Sequence, residues 1–122
     1  MSKYHNRKTV FDGITFDSES EARYYQKLKA MESEGQISDI KRQVAYQLLP
    51  DIYEEREVQL KTKTKVVRKR VQQGTKYIAD FVYTDTATGE TKVVDVKGMR
   101  TPEYRLKKKM MRYLLGITII EV

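Results

Sequence analysis

Two aspartates interrupt a segment that otherwise has the pattern of a β-hairpin. Residues 77–98 read YIADFVYTDTATGETKVVDVKG, with apolar and β-branched residues on both arms and a Thr-Ala-Thr-Gly turn between them. With that turn, Asp80 lies directly opposite Asp95, and opposed Cβ atoms are about 4.5–5.5 Å apart. Lys97 shares the face of Asp95 because side chains alternate along a strand. This register places both carboxylates on one face, whereas a slip of one residue would separate them.

Paired carboxylates in this position repel each other unless a positive charge lies between them. Magnesium or manganese supplies that charge well, because both cations prefer hard oxygen ligands. The single ammonium of Lys97 cannot neutralise two carboxylates. The structural alternative is that both aspartates are strand-end residues that face solvent or pair with nearby lysines. The three residues together favour a metal site.

A third carboxylate lies at the start of the first predicted helix. Ser18 followed three residues later by Glu21 is a capping-box pattern, and Gly35 predicts the end of this helix. At about 100° per residue, Glu21 lies on the same side of the helix as Leu28, a member of its apolar stripe, whereas Glu19 faces water. Glu21 is therefore a candidate site residue, and its capping role is the structural alternative.

Short extended segments flank this helix. VFDGITFD predicts two short extended pieces around an Asp-Gly turn. ISDIKRQVAYQLLP alternates apolar and polar residues and ends at Pro50, so it predicts a strand, and residues 52–60 are a candidate edge strand.

A second helix follows the hairpin. Thr101 and Pro102 predict its N-terminus, it runs to about Leu115, and Gly116 ends it before a last strand, ITIIEV. The resulting order, helix, three strands, helix and strand, predicts an α/β domain with a mixed sheet in αβββαβ order.

Length and composition limit the class of protein. The chain has 122 residues, 39% of them hydrophobic, which predicts one globular domain. It has no cysteine, so disulfides and thiolate zinc sites are excluded. No segment has the pattern of a signal peptide or a membrane span. We therefore expect a soluble, cytoplasmic protein.

The net charge of +7 favours an anionic partner, most commonly nucleic acid. Much of this charge lies in residues 61–76, KTKTKVVRKRVQQGTK, which carry seven basic residues and no acid. This basic loop or extended hairpin is a candidate DNA contact, in particular through Arg68, Lys69 and Arg70. The alternative is a solvated loop. A shorter basic arm occupies residues 1–9.

The acidic residues and Lys97 together resemble the motif of the PD-(D/E)xK nuclease superfamily. That motif has an acid on the first helix, an acid in one strand and acid-x-Lys in the next, here Glu21, Asp80 and Asp95-Val96-Lys97. FDSESEARYYQKL, YIADFVY, VVDVKG and LKKKMMRYLLGITIIEV are also similar to segments of a small, poorly characterised phage-protein family within this superfamily. The sequence departs from the motif at Ala79, where the motif has proline, and at Asp95, where glutamate is commoner.

The resemblance implies a restriction-endonuclease-like core and a role for each motif residue. Asp80 and Asp95 would ligate magnesium, for which manganese can substitute, with the Val96 carbonyl as a further ligand. Glu21 would complete the site directly or through water. Lys97 would orient or help to deprotonate the attacking water and stabilise charge at the phosphate. The metal would lower the pKa of that water and polarise the phosphate.

Further residues are candidates for contact with DNA. Gln43, on the strand after the first helix, is a candidate for a hydrogen bond near the site, or else an ordinary polar strand residue. The second helix carries five basic residues that are candidate phosphate contacts or a solvated face: Arg105, Lys107, Lys108, Lys109 and Arg112. Among these five, Lys107 is the leading candidate.

These observations predict a magnesium-dependent endodeoxyribonuclease that acts in phage DNA processing. Because one small domain lacks a sequence-reading module, we expect recognition of DNA structure, as in a Holliday junction resolvase acting as a homodimer. The alternatives are a non-catalytic nucleic-acid-binding protein, or a nuclease subunit active only with a partner such as a transposase or terminase.

Overall fold

A computed structural model describes residues 7–96 and 100–122 of the protein. Residues 1–6 of the predicted basic arm and the candidate residue Lys97 lie outside these ranges. The helices and strands are, in chain order, β1 (Thr9–Phe11), β2 (Ile14–Phe16), α1 (Glu19–Ser33), β3 (Ile37–Leu49), β4 (Ile52–Gln59), β5 (Thr64–Gln72), β6 (Thr75–Asp85), β7 (Thr91–Asp95), α2 (Pro102–Leu115) and β8 (Ile120–Glu121).

The central sheet has the strand order β3-β6-β7-β8. β6 is antiparallel to both β3 and β7, whereas β8 runs parallel to β7. The predicted α/β domain with a mixed sheet is therefore confirmed. Along the chain, the two helices and the strands of this sheet follow one another as α1, β3, β6, β7, α2 and β8. The remaining strands form two separate pairs, β1-β2 and β4-β5.

The predicted register of the β6–β7 hairpin is confirmed. Phe81 pairs with Val94, and Thr84 pairs with Thr91. At the turn, the backbone N–H of Gly89 donates to the carbonyl of Asp85, 2.7 Å away. A slip of one residue is therefore excluded.

The two helices cover opposite faces of the central sheet. Val93 and Val94 are neighbours in β7, but Val93 packs in the cluster that contains Met111 of α2, and Val94 packs in the cluster that contains Leu28 of α1. Because successive side chains in a strand point to opposite faces, the domain has three layers, helix, sheet and helix.

Local signals in the sequence set the helix ends as predicted. Ser18 Oγ accepts the N–H of Glu21 at 3.2 Å, and Thr101 Oγ1 accepts the N–H of Tyr104 at 3.1 Å. Gly116 ends α2 in the left-handed conformation, with φ 69°. Such capping bonds satisfy backbone groups that have no partner within the helix.

The last strand is shorter than the sequence pattern suggests. Only Ile120 and Glu121 of the ITIIEV segment pair with β7, opposite Val94 and Asp95. The N–H of Ile117 still donates to the Met111 carbonyl of α2, 3.1 Å away. This contact keeps the start of the segment on the helix end, so the chain reaches the sheet edge only at Ile120.

Candidate active site

The two aspartates lie where β6 and β7 stop pairing, one residue beyond the Phe81–Val94 pair. Both side chains are buried, with 4% of Asp80 and 0% of Asp95 exposed. Asp80 Oδ2 accepts a hydrogen bond of 2.7 Å from the backbone N–H of Val96, the residue after Asp95. Burial of both side chains excludes the solvent-facing alternative, and the Val96 bond brings the Asp80 carboxylate to the end of β7.

The two oxygens of the Asp95 carboxylate differ in their hydrogen bonding. Oδ2 accepts a hydrogen bond of 2.6 Å from the hydroxyl of Tyr77. Oδ1 is buried and has no hydrogen-bond partner within the described ranges 7–96 and 100–122. Because an unpartnered buried acceptor is costly, such an atom calls for an explanation, and an ion is one of the usual ones.

Tyr77 is a site residue that the sequence pattern did not reveal. Burial raises the pKa of its hydroxyl well above the usual tyrosine value, and the hydrogen bond to Asp95 and the charges of Asp95 and Asp80 raise it further. The hydroxyl therefore remains a hydrogen-bond donor throughout the ordinary pH range. Tyr77 lies three residues before Asp80, and in a regular strand this odd spacing would put the two side chains on opposite faces.

A change of face within β6 explains how Tyr77 reaches Asp95. Tyr77, Ala79 and Val82 pack in the α2-side cluster, whereas Phe81 packs in the α1-side cluster. A regular strand would place residues 77, 79 and 81 on one face. The alternation is therefore shifted by one residue close to Asp80.

In β3, which pairs with β6, the alternation of side chains between the two faces of the sheet is also shifted, opposite the shift in β6. The Arg42 guanidinium lies over the Phe16 ring of the α1-side cluster, 4.4 Å from its centroid, whereas Val44 packs in the α2-side cluster. Gln43, between them, has a left-handed backbone with φ 52°. The flanking pairs Arg42–Phe81 and Val44–Ala79 place Gln43 opposite Asp80. Strained backbone of this kind clusters at functional sites.

Glu21 lies on α1 with its side chain 7% exposed, which confirms its predicted burial. The structure does not gather three acids into one cage, however. Within the described residues, no group of three or more His, Cys, Asp or Glu side chains is arranged to hold a metal ion. Magnesium often takes only one or two carboxylates and completes its shell with water and substrate phosphate oxygens.

Glu121 is a second site neighbour that the sequence pattern did not reveal. It pairs with Asp95 across the parallel β7–β8 contact. Its carboxylate accepts hydrogen bonds from Tyr104 Oη at 2.7 Å, Arg100 Nε at 2.8 Å and Lys108 Nζ at 3.0 Å. The bonds from Tyr104 and Lys108, followed by Arg100, lower the pKa of Glu121 to about 2. This network ties the start of α2 to the edge strand beside Asp95.

A family model described as "Protein of unknown function (DUF1064)" matches residues 1–116. The chain belongs to the DUF1064 family. Neither the curated proteins nor the solved structures contain a match to it. The description of the DUF1064 family gives no activity.

The basic residues of α2 in this DUF1064 protein are partly engaged in ion pairs. Lys107 Nζ lies 3.0 Å from Glu103, and Lys108 Nζ lies 3.0 Å from Glu121. Arg105 is exposed and has no ion pair in the part of the chain that the structure describes. A phosphate would therefore compete with a carboxylate at Lys107 and Lys108, but not at Arg105. Neither described helix of the chain is long and apolar enough to cross a membrane.

The predicted basic segment 61–76 comprises the loop before β5, β5 itself and the first two residues of β6. In the strand register, Arg68 of β5 lies opposite Glu55 of β4, Lys69 lies opposite Glu54, and Arg70 lies opposite Tyr53. The acid-rich strand β4 therefore lies beside the basic strand β5. The number of basic residues in the segment did not predict this arrangement. All residues of both strands are exposed.

Proposed function

We propose that this DUF1064 protein is a metal-dependent DNA endonuclease with a PD-(D/E)xK-type site in a restriction-endonuclease-like core. The observation that carries the proposal is the buried Asp95 carboxylate, whose Oδ1 has no donor among the described residues. Asp80 lies in the neighbouring strand with its Oδ2 on the Val96 amide. The sheet between two helices and the αβββαβ order agree with the core that the motif implies.

The donor set suits magnesium or manganese. Asp95 Oδ1, the Asp80 carboxylate and the Val96 carbonyl would hold the ion, and Glu21 would complete its shell through water. All are hard oxygen donors, the kind that these cations prefer. When bound, the cation would supply an activated water and a polarised scissile phosphate.

The protein positions these carboxylates through hydrogen bonds to their other oxygens. The Tyr77 hydroxyl holds Oδ2 of Asp95, and the Val96 amide holds Oδ2 of Asp80. Such bonds orient a ligand and typically change metal affinity or activity 10–100-fold when removed. Lys97, which follows Val96, would orient the attacking water and stabilise charge at the phosphate.

The substrate that we propose is branched DNA, such as a Holliday junction, in phage DNA processing. The net charge of +7 supports a polyanionic substrate. Resolution of a junction requires two coordinated cuts, so the active form would be a homodimer. This narrower assignment rests on analogy alone.

Cleavage of labelled four-way junction, flap and linear duplex DNA tests the proposal, with magnesium, manganese or EDTA. The matched variants are Asp95→Asn and Asp39→Asn, since Asp39 is an exposed strand aspartate. We expect metal-dependent cleavage that Asp95→Asn abolishes and Asp39→Asn retains, with the junction preferred.

Three outcomes would contradict parts of this proposal. Equal cleavage of all substrates would retain the nuclease and reject the resolvase. Cleavage that survives in Asp95→Asn would reject the site. DNA binding without cleavage under either metal would favour a non-catalytic DNA-binding protein or a nuclease subunit that needs a partner.

A further inference from the structure

The strand pair β4-β5, called here the ribbon, is separate from the central sheet. Eight residues of β4 and nine of β5 are all exposed, so neither face of the ribbon is covered. At about 3.4 Å per residue, β4 is about 27 Å long. An isolated two-stranded hairpin is at best marginally stable in water, which makes so long an exposed ribbon a candidate binding element.

One face of the ribbon has balanced charges. Residues that lie opposite each other in two paired strands point to the same face, and so do alternate residues along one strand. One face of the ribbon therefore carries Tyr53, Glu55 and Glu57 together with their partners on β5. These partners are Arg70, Arg68 and Val66. The Arg68 guanidinium lies 4.1 Å from the Tyr53 ring centroid, which confirms that these two side chains share a face. We call this side, with two cations and two carboxylates, the neutral face.

The other face has an excess of positive charge. It carries Glu54, Arg56 and Val58 from β4 and, opposite them, Lys69, Val67 and Lys65 from β5. The loop at the ribbon end adds Lys61 and Lys63. This basic face and its tip thus present five cations against one carboxylate. The β4–β5 register, rather than the number of basic residues in β5, determines that one face is basic and the other neutral.

We propose that the basic face and tip of the ribbon bind the phosphate backbone of duplex DNA. The inference rests on the proposed function for the identity of the substrate, although binding does not require cleavage. A face and tip with five cations together complement a polyanion and would repel the same surface of a second copy. The major groove of DNA is wide enough for a two-stranded ribbon.

This inference changes which basic residues of the segment should matter. Of Arg68, Lys69 and Arg70, only Lys69 lies on the basic face. Arg68 and Arg70 share the neutral face with Glu55 and Glu57, which compensate their charge. Arg56 and Lys65, by contrast, lie on the basic face, and Arg56 is outside the basic segment 61–76.

Two double variants of the full chain provide a matched test. Arg56→Gln with Lys65→Gln removes two cations from the basic face, and Arg68→Gln with Arg70→Gln removes two from the neutral face. The probe is a labelled 30-base-pair duplex and a four-way junction, measured in EDTA so that cleavage does not interfere. Dissociation constants are measured across a salt series, and circular dichroism confirms that each variant is folded.

We expect the basic-face variant to bind at least about tenfold more weakly at low salt. Its slope of log affinity against log salt should fall by about two, since each lost phosphate contact removes about 0.9. The neutral-face variant should change affinity less than about threefold. Equal losses, a larger loss from the neutral face, or no DNA binding by the unmodified protein would each overturn the inference.

The outcomes also separate this inference from the proposed nuclease. If DNA binding depends on the basic face but no metal produces cleavage, the ribbon inference stands and the nuclease proposal fails. If the junction is cut while both double variants bind it equally, the nuclease stands and the ribbon inference fails.

Discussion

Replacement of Asp95 by asparagine should stabilise the metal-free protein. Asp95 is fully buried, and its Oδ1 has no hydrogen-bond partner among the described residues. A buried atom without a partner costs about 1–3 kcal/mol, more when it is charged. Asparagine removes the charge and its repulsion with Asp80, although its amide leaves a neutral group in place of Oδ1 that also has no partner among the described residues. It also weakens the Tyr77 hydrogen bond by about 1 kcal/mol, the difference between a charged and a neutral acceptor. We expect a net gain of about 1 kcal/mol, or about 3–5 °C in the melting midpoint.

In the presence of magnesium, the unmodified protein should become more stable than Asp95→Asn. At ten times its dissociation constant, a ligand that binds only the folded state stabilises it by about 1.4 kcal/mol. The unmodified protein should therefore gain several degrees with magnesium, whereas Asp95→Asn should gain almost nothing. Asp39→Asn, which makes the same change of net charge on the surface, should behave like the unmodified protein in both conditions.

Thermal denaturation of the three proteins in EDTA and in a magnesium series measures both effects. A lower midpoint for Asp95→Asn in EDTA would show that the buried charge of Asp95 does not destabilise the metal-free fold. Equal shifts with magnesium in all three proteins would show that the ion is not bound through Asp95. Either result would refute the reasoning that leads from Asp95 Oδ1 to a metal site.

Three further predictions concern residues around the site. Tyr77→Phe leaves Asp95 without its donor, so we expect a loss of about 1–3 kcal/mol in urea denaturation and a 10–100-fold weaker response to magnesium. The lowered pKa of Glu121 means that its bonds stabilise the fold fully above the ordinary carboxylate pKa, and that this contribution is lost as the pH falls through about 2. Glu121→Gln should therefore flatten the dependence of the melting midpoint on pH between pH 5 and 2. At Gln43, whose φ is 52°, Gln43→Gly should be nearly neutral, because relief of the left-handed backbone offsets the greater freedom that glycine gives the unfolded chain. Gln43→Val should destabilise the fold, because a β-branched side chain is disfavoured in this conformation.

Each of these predictions has a result that contradicts it. Unchanged stability and magnesium response in Tyr77→Phe would mean that its hydroxyl does not position Asp95. If the melting midpoints of Glu121→Gln and of the unmodified protein fall equally as the pH is lowered, other carboxylates are responsible for the acid sensitivity. Equal unfolding free energies of the valine and glycine variants at Gln43 would argue against the left-handed backbone there.

Part of the candidate site follows from local sequence patterns. The position of the turn before Gly89 set the β6–β7 register, and that register alone predicted that Asp80 and Asp95 would be neighbours. Helical periodicity predicted the burial of Glu21. These predictions succeeded because turn geometry and side-chain alternation act over a few residues. Lys97, the other residue of the motif, lies outside the described ranges.

Other features of the site depend on residues that are far apart along the chain. Tyr77 and Asp95 are separated by 18 positions, and their hydrogen bond needs the change of face opposite Gln43. The engagement of Lys108 with Glu121 depends on where β8 joins the sheet. Neither contact has a periodic signal, because each is formed by two elements that meet only in the folded protein.

The sequence by itself determined the helix ends, the hairpin register, the mixed α/β class and the excess of positive charge. These properties arise from short-range chemistry, in caps such as Ser18 and turns such as that at Gly89, and from composition. Tertiary structure alone decided which oxygen of Asp95 has no partner within residues 7–96 and 100–122, and which ribbon face is basic. Both depend on the pairing of strands, since pairing determines which donors reach a buried carboxylate and which charges lie opposite one another.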